Sequence, residues 1–429
     1  MKIAPATEPA ADQFGRQNPL SRLFRAFAYR DFRLLWFGAF TSSAGTWMQQ
    51  AALSWLILSL TNNDPSYLGY NEVLATGPIL VLSLVGGVVA DRTDRRRILL
   101  ASQYLQLSLA FALALLTWLG VVSVWQILLL SLLTGVAQAF GGPAYQALIP
   151  TLVERRDLAN ALALNSIQFN LARIVGPMFA GEALAALGAA ACFGLNSLSF
   201  VAVIIALSLI SVRYLPQTDG ESRNMRAEMR LGLAFVWHRQ VLRSLTLLAF
   251  ALSFLGFQLI TFLSFFARDI FFAGQPDSVQ VKGFTHLLAM TGAGAVTGAL
   301  VVAWLGDAPR KGRIALHMQI ILGLLITAFA FTTKIWLAYL LVYLGGVFMM
   351  ASFAPIASLV QLLVNDEMRG RVMSIYNTAF RGGMPLGSVV TGLLLKHFSS
   401  TQVFAVEGLL LLLIALYFLI AKSQVEVRG

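Results

Sequence analysis

Apolar runs of about 20 residues follow one another along almost the whole chain, separated by short polar turns. A run of that length is what one helix needs to cross the hydrocarbon core of a bilayer, and its repetition leaves little chain for anything else. Of the 429 residues, 58% are hydrophobic and 12% charged. A soluble domain carries about a quarter charged residues, so the chain reads as an all-α, multi-pass membrane protein.

The formal charge of +11 would fit a nucleic-acid binder if the cations were clustered. They are not. With the turns assigned alternately to two sides, 25 of the 31 Lys and Arg fall on one side. Four lie toward the other (Arg268, Lys282, Lys334 and Lys396), and Arg173 and Arg381 lie inside apolar segments. This is the positive-inside pattern, which places both termini in the cytoplasm and predicts no nucleic-acid partner. Residues 1–30 are polar and basic and show no cleavable signal pattern. The single Cys192 excludes an intrachain disulfide and lies in an apolar run, where packing is its expected role.

Taken in order, the chain divides into a cytoplasmic tail (1–31), six segments (32–212), a polar arginine-rich linker (213–241), six more segments (242–421) and a short tail (422–429). Part of the linker is expected to lie as an amphipathic helix on the membrane surface. The first segment has an unusually polar middle: Thr41, Ser42, Ser43, Thr46, Gln49 and Gln50, with Gly45 and Trp47 among them. Such groups face protein or water rather than lipid, and they serve either helix–helix contact or a polar cavity.

The turn after the second segment reads Gly86-Gly87-Val88-Val89-Ala90-Asp91-Arg92-Thr93-Asp94-Arg95-Arg96-Arg97. Its spacing resembles the loop signature between the second and third helices of the major facilitator superfamily, with Asp94 where that signature usually has a second glycine. The Asp-Arg-x-Asp-Arg-Arg form is similar to the branch that holds macrolide effluxers and the enterobactin exporter. The resemblance implies twelve transmembrane helices in two pseudo-symmetric six-helix bundles, with Gly87, Asp91, Arg92 and Arg95 forming a latch between them. Gly176-Pro177 with Gly181, in the fifth segment, resembles the antiporter motif associated with export, although Leu171 and Ala172 occupy its early glycine positions. The arginine that many proton-coupled drug antiporters carry in the fourth helix is missing, since no Lys or Arg occurs between Arg97 and Arg155.

An internal repeat supports the duplication. Asp91-Arg92 is echoed by Asp307 and Arg310-Lys311, Gly135-Val136 and Pro143 by Gly346-Val347 and Pro355, and Arg173-x-x-x-Pro177 by Arg381-x-x-x-Pro385. Asparagines precede the last pair at Asn170 and Asn377. A guanidinium at the bilayer centre costs about 2.5–3.5 kcal/mol or more, so Arg173 and Arg381 should face a partner or a watery cavity. They are the leading substrate-binding candidates, with Trp47, Gln49, Gln50 and Asn377, for an anionic or oxygen-rich ligand. The competing reading is that each arginine ties helices together.

No metal-ligand spacing links His238, His286, His317 and His397, and no phosphate-binding loop is present. The chain therefore reads as neither an enzyme nor an ATP-driven pump, without cofactor or metal. Its expected function is secondary export, by alternating access in the inner membrane, of a drug-like or siderophore-like small molecule in exchange for protons. Glu72, Glu182 and Glu407 are the candidate proton carriers. A metabolite or sugar importer and a lysophospholipid flippase are the rivals within the same fold. A monomer in the lipid bilayer is expected.

Overall fold

The computed structural model describes residues 24–211, 225–305 and 311–420. Residues 1–23 of the first tail, residues 213–224 of the linker, the 307–310 half of the internal repeat and the short last tail therefore lie outside the described residues, as do the side chains of Asp91 and Arg92.

A short 3-10 turn, Arg25–Ala28, leads into α1 (Arg30–Leu60). Then come α2 (Ser66–Arg92), α3 (Arg95–Trp118) and α4 (Val124–Leu148). The stretch Leu158–Leu209 is helical except at Gly188, whose φ of 81° breaks it into α5 (158–187) and α6 (189–209). A linker helix, α7 (Met225–His238), precedes the second set. That set is α8 (Gln240–Phe271), α9 (Asp277–Leu305), α10 (Lys311–Phe331), α11 (Ile335–Leu362), α12 (Asp366–Leu394) and α13 (Ser400–Ile420). No strand occurs among the described residues. Eight stretches are long and apolar enough to span a membrane, and one of them contains both α5 and α6. With α1, α2 and α12, of 31, 27 and 29 residues, the described residues hold twelve helices of spanning length.

Several starts and stops have local causes. Asp94 caps α3 by accepting from the Arg96 backbone N–H at 2.9 Å, and Ser123 with Gln126 forms a capping box on α4. The apolar pattern predicts the eighth spanning segment only from Thr285, but α9 begins eight residues earlier at Asp277. Val281, 1% exposed, and Phe284, 2% exposed, extend its packed face outward. The seventh segment, α8, is wound partly as π-helix at Leu252–Gly256 and Ala267–Phe271, which lengthens it to Phe271.

In the first six spans α1 packs on α5 and α6, α2 on α4, and α3 on α4 and α6; in the last six, α9 packs on α11 and α10 on α11 and α13. The two sets meet along α2 against α12 and α5 against α9. Glycines bring these helices to backbone distance. A Cβ on Gly294 would meet the Tyr343 backbone carbonyl, and one on Gly135 that of Ala75. Gly294→Val is thus expected to overpack the α9/α11 crossing by about 1–3 kcal/mol and lower the melting temperature in detergent by about 2–5 °C. An unchanged melting curve would contradict that contact.

Gly87, one of the expected latch residues, makes no close helix contact. Its position is open, and the adjacent Gly86 makes the tight approach, to the Ala139 backbone of α4. Arg95 donates to the Ala147 carbonyl at 2.9 Å, a bond inside the first set of helices.

Candidate polar passage between two helix bundles

Arg173 stands midway along α5 and Arg381 midway along α12. Arg173 is partly buried and lies over the Trp47 ring of α1, its guanidinium carbon 5.4 Å from the ring centroid. Phe169, one turn earlier, meets the same indole edge-on at 6.1 Å. The sequence builds this cluster through Gly176, where a Cβ would fall 2.6 Å from both Ala44 O and Trp47 Cβ. Only glycine lets α5 approach α1 closely enough to place Arg173 on Trp47. Pro177 is buried beside it, and Gly181 packs on Thr285 of α9.

The same construction recurs in the second set. Gly383 and Gly387 press α12 onto the π-helical turn of α8, at Phe250, Ser253 and Phe254. Asn377 and Arg381 are exposed one turn apart. The other exposed face of α12 carries Leu386 and Val390, which lie about 140° and 180° around the helix from Arg381. The polar pair and the apolar pair thus stand on opposite faces of α12. Phe380 stacks between Phe353 (4.3 Å) and Phe257 (5.6 Å). Neither Arg173 nor Arg381 has a carboxylate partner among the described residues.

The remaining candidates separate by environment. Gln49 accepts from Asn196 of α6 at 2.7 Å and so joins α1 to α6, whereas Gln50 is exposed. Glu182 pairs with Lys282 at 2.8 Å and is largely exposed. Glu407 is 6% exposed in the core of the second set, accepting from Thr391. Glu72 differs from both. On α2, Asn71 and Ala75 contact α4, while Gly69 and Leu80 contact α12. Glu72 lies between those two contact faces and about 180° from Val81, which is 72% exposed. It therefore points to the side of α2 opposite that exposed residue, without a cation among the described residues.

The face opposite the arginine-rich turns is closed. Asp64 pairs with Lys396 at 2.9 Å and Glu182 with Lys282 at 2.8 Å. Arg268 donates to Ser59 at 3.0 Å and covers Trp55 at 5.3 Å, and Asn63 donates to Asp269. Each contact joins the first six spans to the last six. Three of the four cations on this face thus tie the halves together, a role that the sequence reading did not give them; their position on the cation-poor side was the available signal.

Partial burial alone would raise the Asp64 carboxyl, but hydrogen bonds from Ser66 and Lys396 hold it below its ordinary value of 3.8, while Asp64 raises Lys396 above 10.5. The carboxylate's contribution is complete above its ordinary value and fades as pH falls through the lowered one. That of the lysine is complete below 10.5 and fades as pH rises through the raised one. The pair is at full strength from about pH 4 to 10. In a Gln50→Cys background, Lys282→Gln with Lys396→Gln is expected to speed labelling by an impermeant thiol reagent from this face by roughly three- to ten-fold. Labelling without the two substitutions, taken relative to a small free thiol at the same pH, should rise only outside about pH 4 to 10. Equal rates in both proteins would show that these pairs do not hold the face shut.

Comparison with known proteins agrees with this architecture. Residues 22–427 match the model of a family described as transmembrane secretion effector, one of the major facilitator group. The chain belongs to the major facilitator superfamily. Within it, the chain is 24% identical to the staphyloferrin A transporter of Staphylococcus aureus over 388 residues, covering 90% of this chain and 94% of that one. It is 26% identical to the multidrug efflux pump Tap of Mycolicibacterium fortuitum over 374 residues, covering 84% and 88%. The solved structure of the nucleoside transporter NupG superposes with a TM-score of 0.75 at 12% identity, covering 91% of this chain and 99% of that one. This major facilitator protein is a multi-pass secondary transporter of small molecules and not an enzyme.

Proposed function

We propose that this chain exports a siderophore-like or drug-like small molecule across the inner membrane in exchange for protons, as a monomer with both termini in the cytoplasm. The arginine-rich face is cytoplasmic in this reading, by the positive-inside bias. The observation that carries it is Arg173, a guanidinium set midway along a spanning helix on the face of Trp47, with no carboxylate partner among the described residues. A cation at that depth is costly unless something in the passage compensates it, and a bound substrate would do so. Arg381 and Asn377 offer the matching polar face on the other bundle, and Gln50 adds an amide. Glu72 is the carboxylate best placed to carry the proton, because it stands on α2 between its contacts with α4 and with α12, the helix of Arg381.

The direction of transport and the substrate class rest on the relatives, one named a staphyloferrin A transporter and the other a multidrug efflux pump. The test uses inside-out vesicles with an acid interior, a panel holding a catecholate and a carboxylate siderophore, a macrolide, a cationic dye and a lysolipid, and a pH-sensitive fluorophore. Substrate-dependent loss of interior acidity, above that of vesicles lacking the protein, is expected for a siderophore or drug. A response to lysolipid alone would favour a flippase, and silence across the panel would overturn proton-coupled export of these classes.

A further inference from the structure

A cleft of about 580 Å³ lies away from the passage, between α1 and α6 at their arginine-rich ends. Its floor is made by small residues. A Cβ on Gly38 would stand 2.8 Å from Ala206 Cβ, so the two helices touch there and leave a groove along the contact. Its walls include Phe37, 58% exposed, and Ile205, 53% exposed, and its end carries Arg30 and Arg33.

The groove reaches from Arg30 to Thr41, eleven residues of helix, or about 16 Å. Apolar walls on the outer side of two spanning helices are covered by the lipid of the bilayer. The charge at the end is positive. Arg33 donates from one terminal nitrogen to the Phe27 carbonyl at 2.7 Å and the Ala28 carbonyl at 3.5 Å and is exposed, and Arg30 lies 3.6 Å from Asp31 with its side chain 60% exposed. Asp31, the acidic neighbour, also accepts from the Ser211 backbone N–H at 3.1 Å. Arg96 covers the Leu207 and Ser208 carbonyls at 2.6 Å, so the end of α6 presents no bare acceptors there. A basic mouth above an apolar slot about one acyl chain long matches an anionic phospholipid.

We propose that this cleft binds an anionic phospholipid of the leaflet on the arginine-rich side. Its phosphate rests on Arg30 and Arg33, and one acyl chain runs along the α1/α6 groove. Arginine suits the phosphate because its fork of donors meets two oxygens at once. The site is independent of the transported substrate and of the direction of transport.

The test is native mass spectrometry of the purified full chain, titrated in separate runs with phosphatidylglycerol and phosphatidylcholine. Phosphatidylglycerol is expected to bind at least five-fold more tightly. Arg30→Gln with Arg33→Gln should remove that preference and leave phosphatidylcholine binding unchanged. Ile205→Trp, at an exposed wall position where folding is spared, should weaken phosphatidylglycerol binding with both arginines intact. Inorganic phosphate at the same concentration should not displace the lipid. Equal binding of the two lipids by the unsubstituted chain would overturn the proposal, as would an unchanged preference in the double variant. Displacement by phosphate together with indifference to Ile205→Trp would mark a bare anion site and overturn it as well.

Discussion

Arg173→Ala is expected to lower transport by about thirty- to one-hundred-fold, and Arg173→Lys by nearly as much. The guanidinium lies over the Trp47 indole, 5.4 Å from its centroid, a contact that a lysine ammonium on a flexible stem does not reproduce. A charge-assisted contact in a partly desolvated site contributes about 2–3 kcal/mol, and every 1.4 kcal/mol is tenfold in affinity. The measurement is initial rate in vesicles beside equilibrium binding in detergent, for Arg173→Ala, Arg381→Ala and the double variant. If the arginines share one ligand, the double variant loses less than the sum of the singles. Normal binding with a lowered melting temperature would instead give Arg173 a purely structural part.

The second large effect concerns Glu72. Glu72→Gln preserves shape and removes the titration, so substrate binding should stay within about two-fold while uphill transport driven by a pH gradient falls at least ten-fold. Substrate–substrate exchange across vesicles with no gradient should persist, because alternation of the bundles needs no proton to be released. The same change at Glu182 is expected to leave gradient-driven transport near its starting level, since that carboxylate is already paired with Lys282 at the closed face. If Glu72→Gln transports normally against a gradient, another group carries the proton, and Glu407, buried against Thr391, is the next to change.

Much of this architecture can be read before any coordinates. The spacing of apolar runs gives the helices, and the cation asymmetry gives the alternation of turns. The Arg-x-x-x-Pro repeat anticipates a matching construction in the two halves, where Gly176 seats α5 on α1 and Gly383 seats α12 on α8. What composition cannot give is which face of a helix a residue occupies relative to a distant partner. Gln49 and Gln50 are neighbours in sequence and equal in chemistry, yet a turn of about 100° sends one to Asn196 and leaves the other exposed. Gly86 and Gly87 divide in the same way. The join between α5 and α6 is a single residue, because only glycine takes the φ of 81° that reverses the chain there. The early start of α9 is hidden by Asp277, Gln280 and Lys282, polar residues that interrupt the apolar pattern around the packed Val281 and Phe284.

The cations of the closed face carry one more consequence, which concerns how the protein is made. In the proposed orientation Arg268, Lys282 and Lys396 each had to be carried through the bilayer during insertion, against the bias that retains positive charge in the cytoplasm. Residues that impede biogenesis persist when the finished molecule needs them, and here each one meets a group on the opposite bundle. In this chain, three of the four places where the topology rule is broken therefore mark contacts that shut its far side.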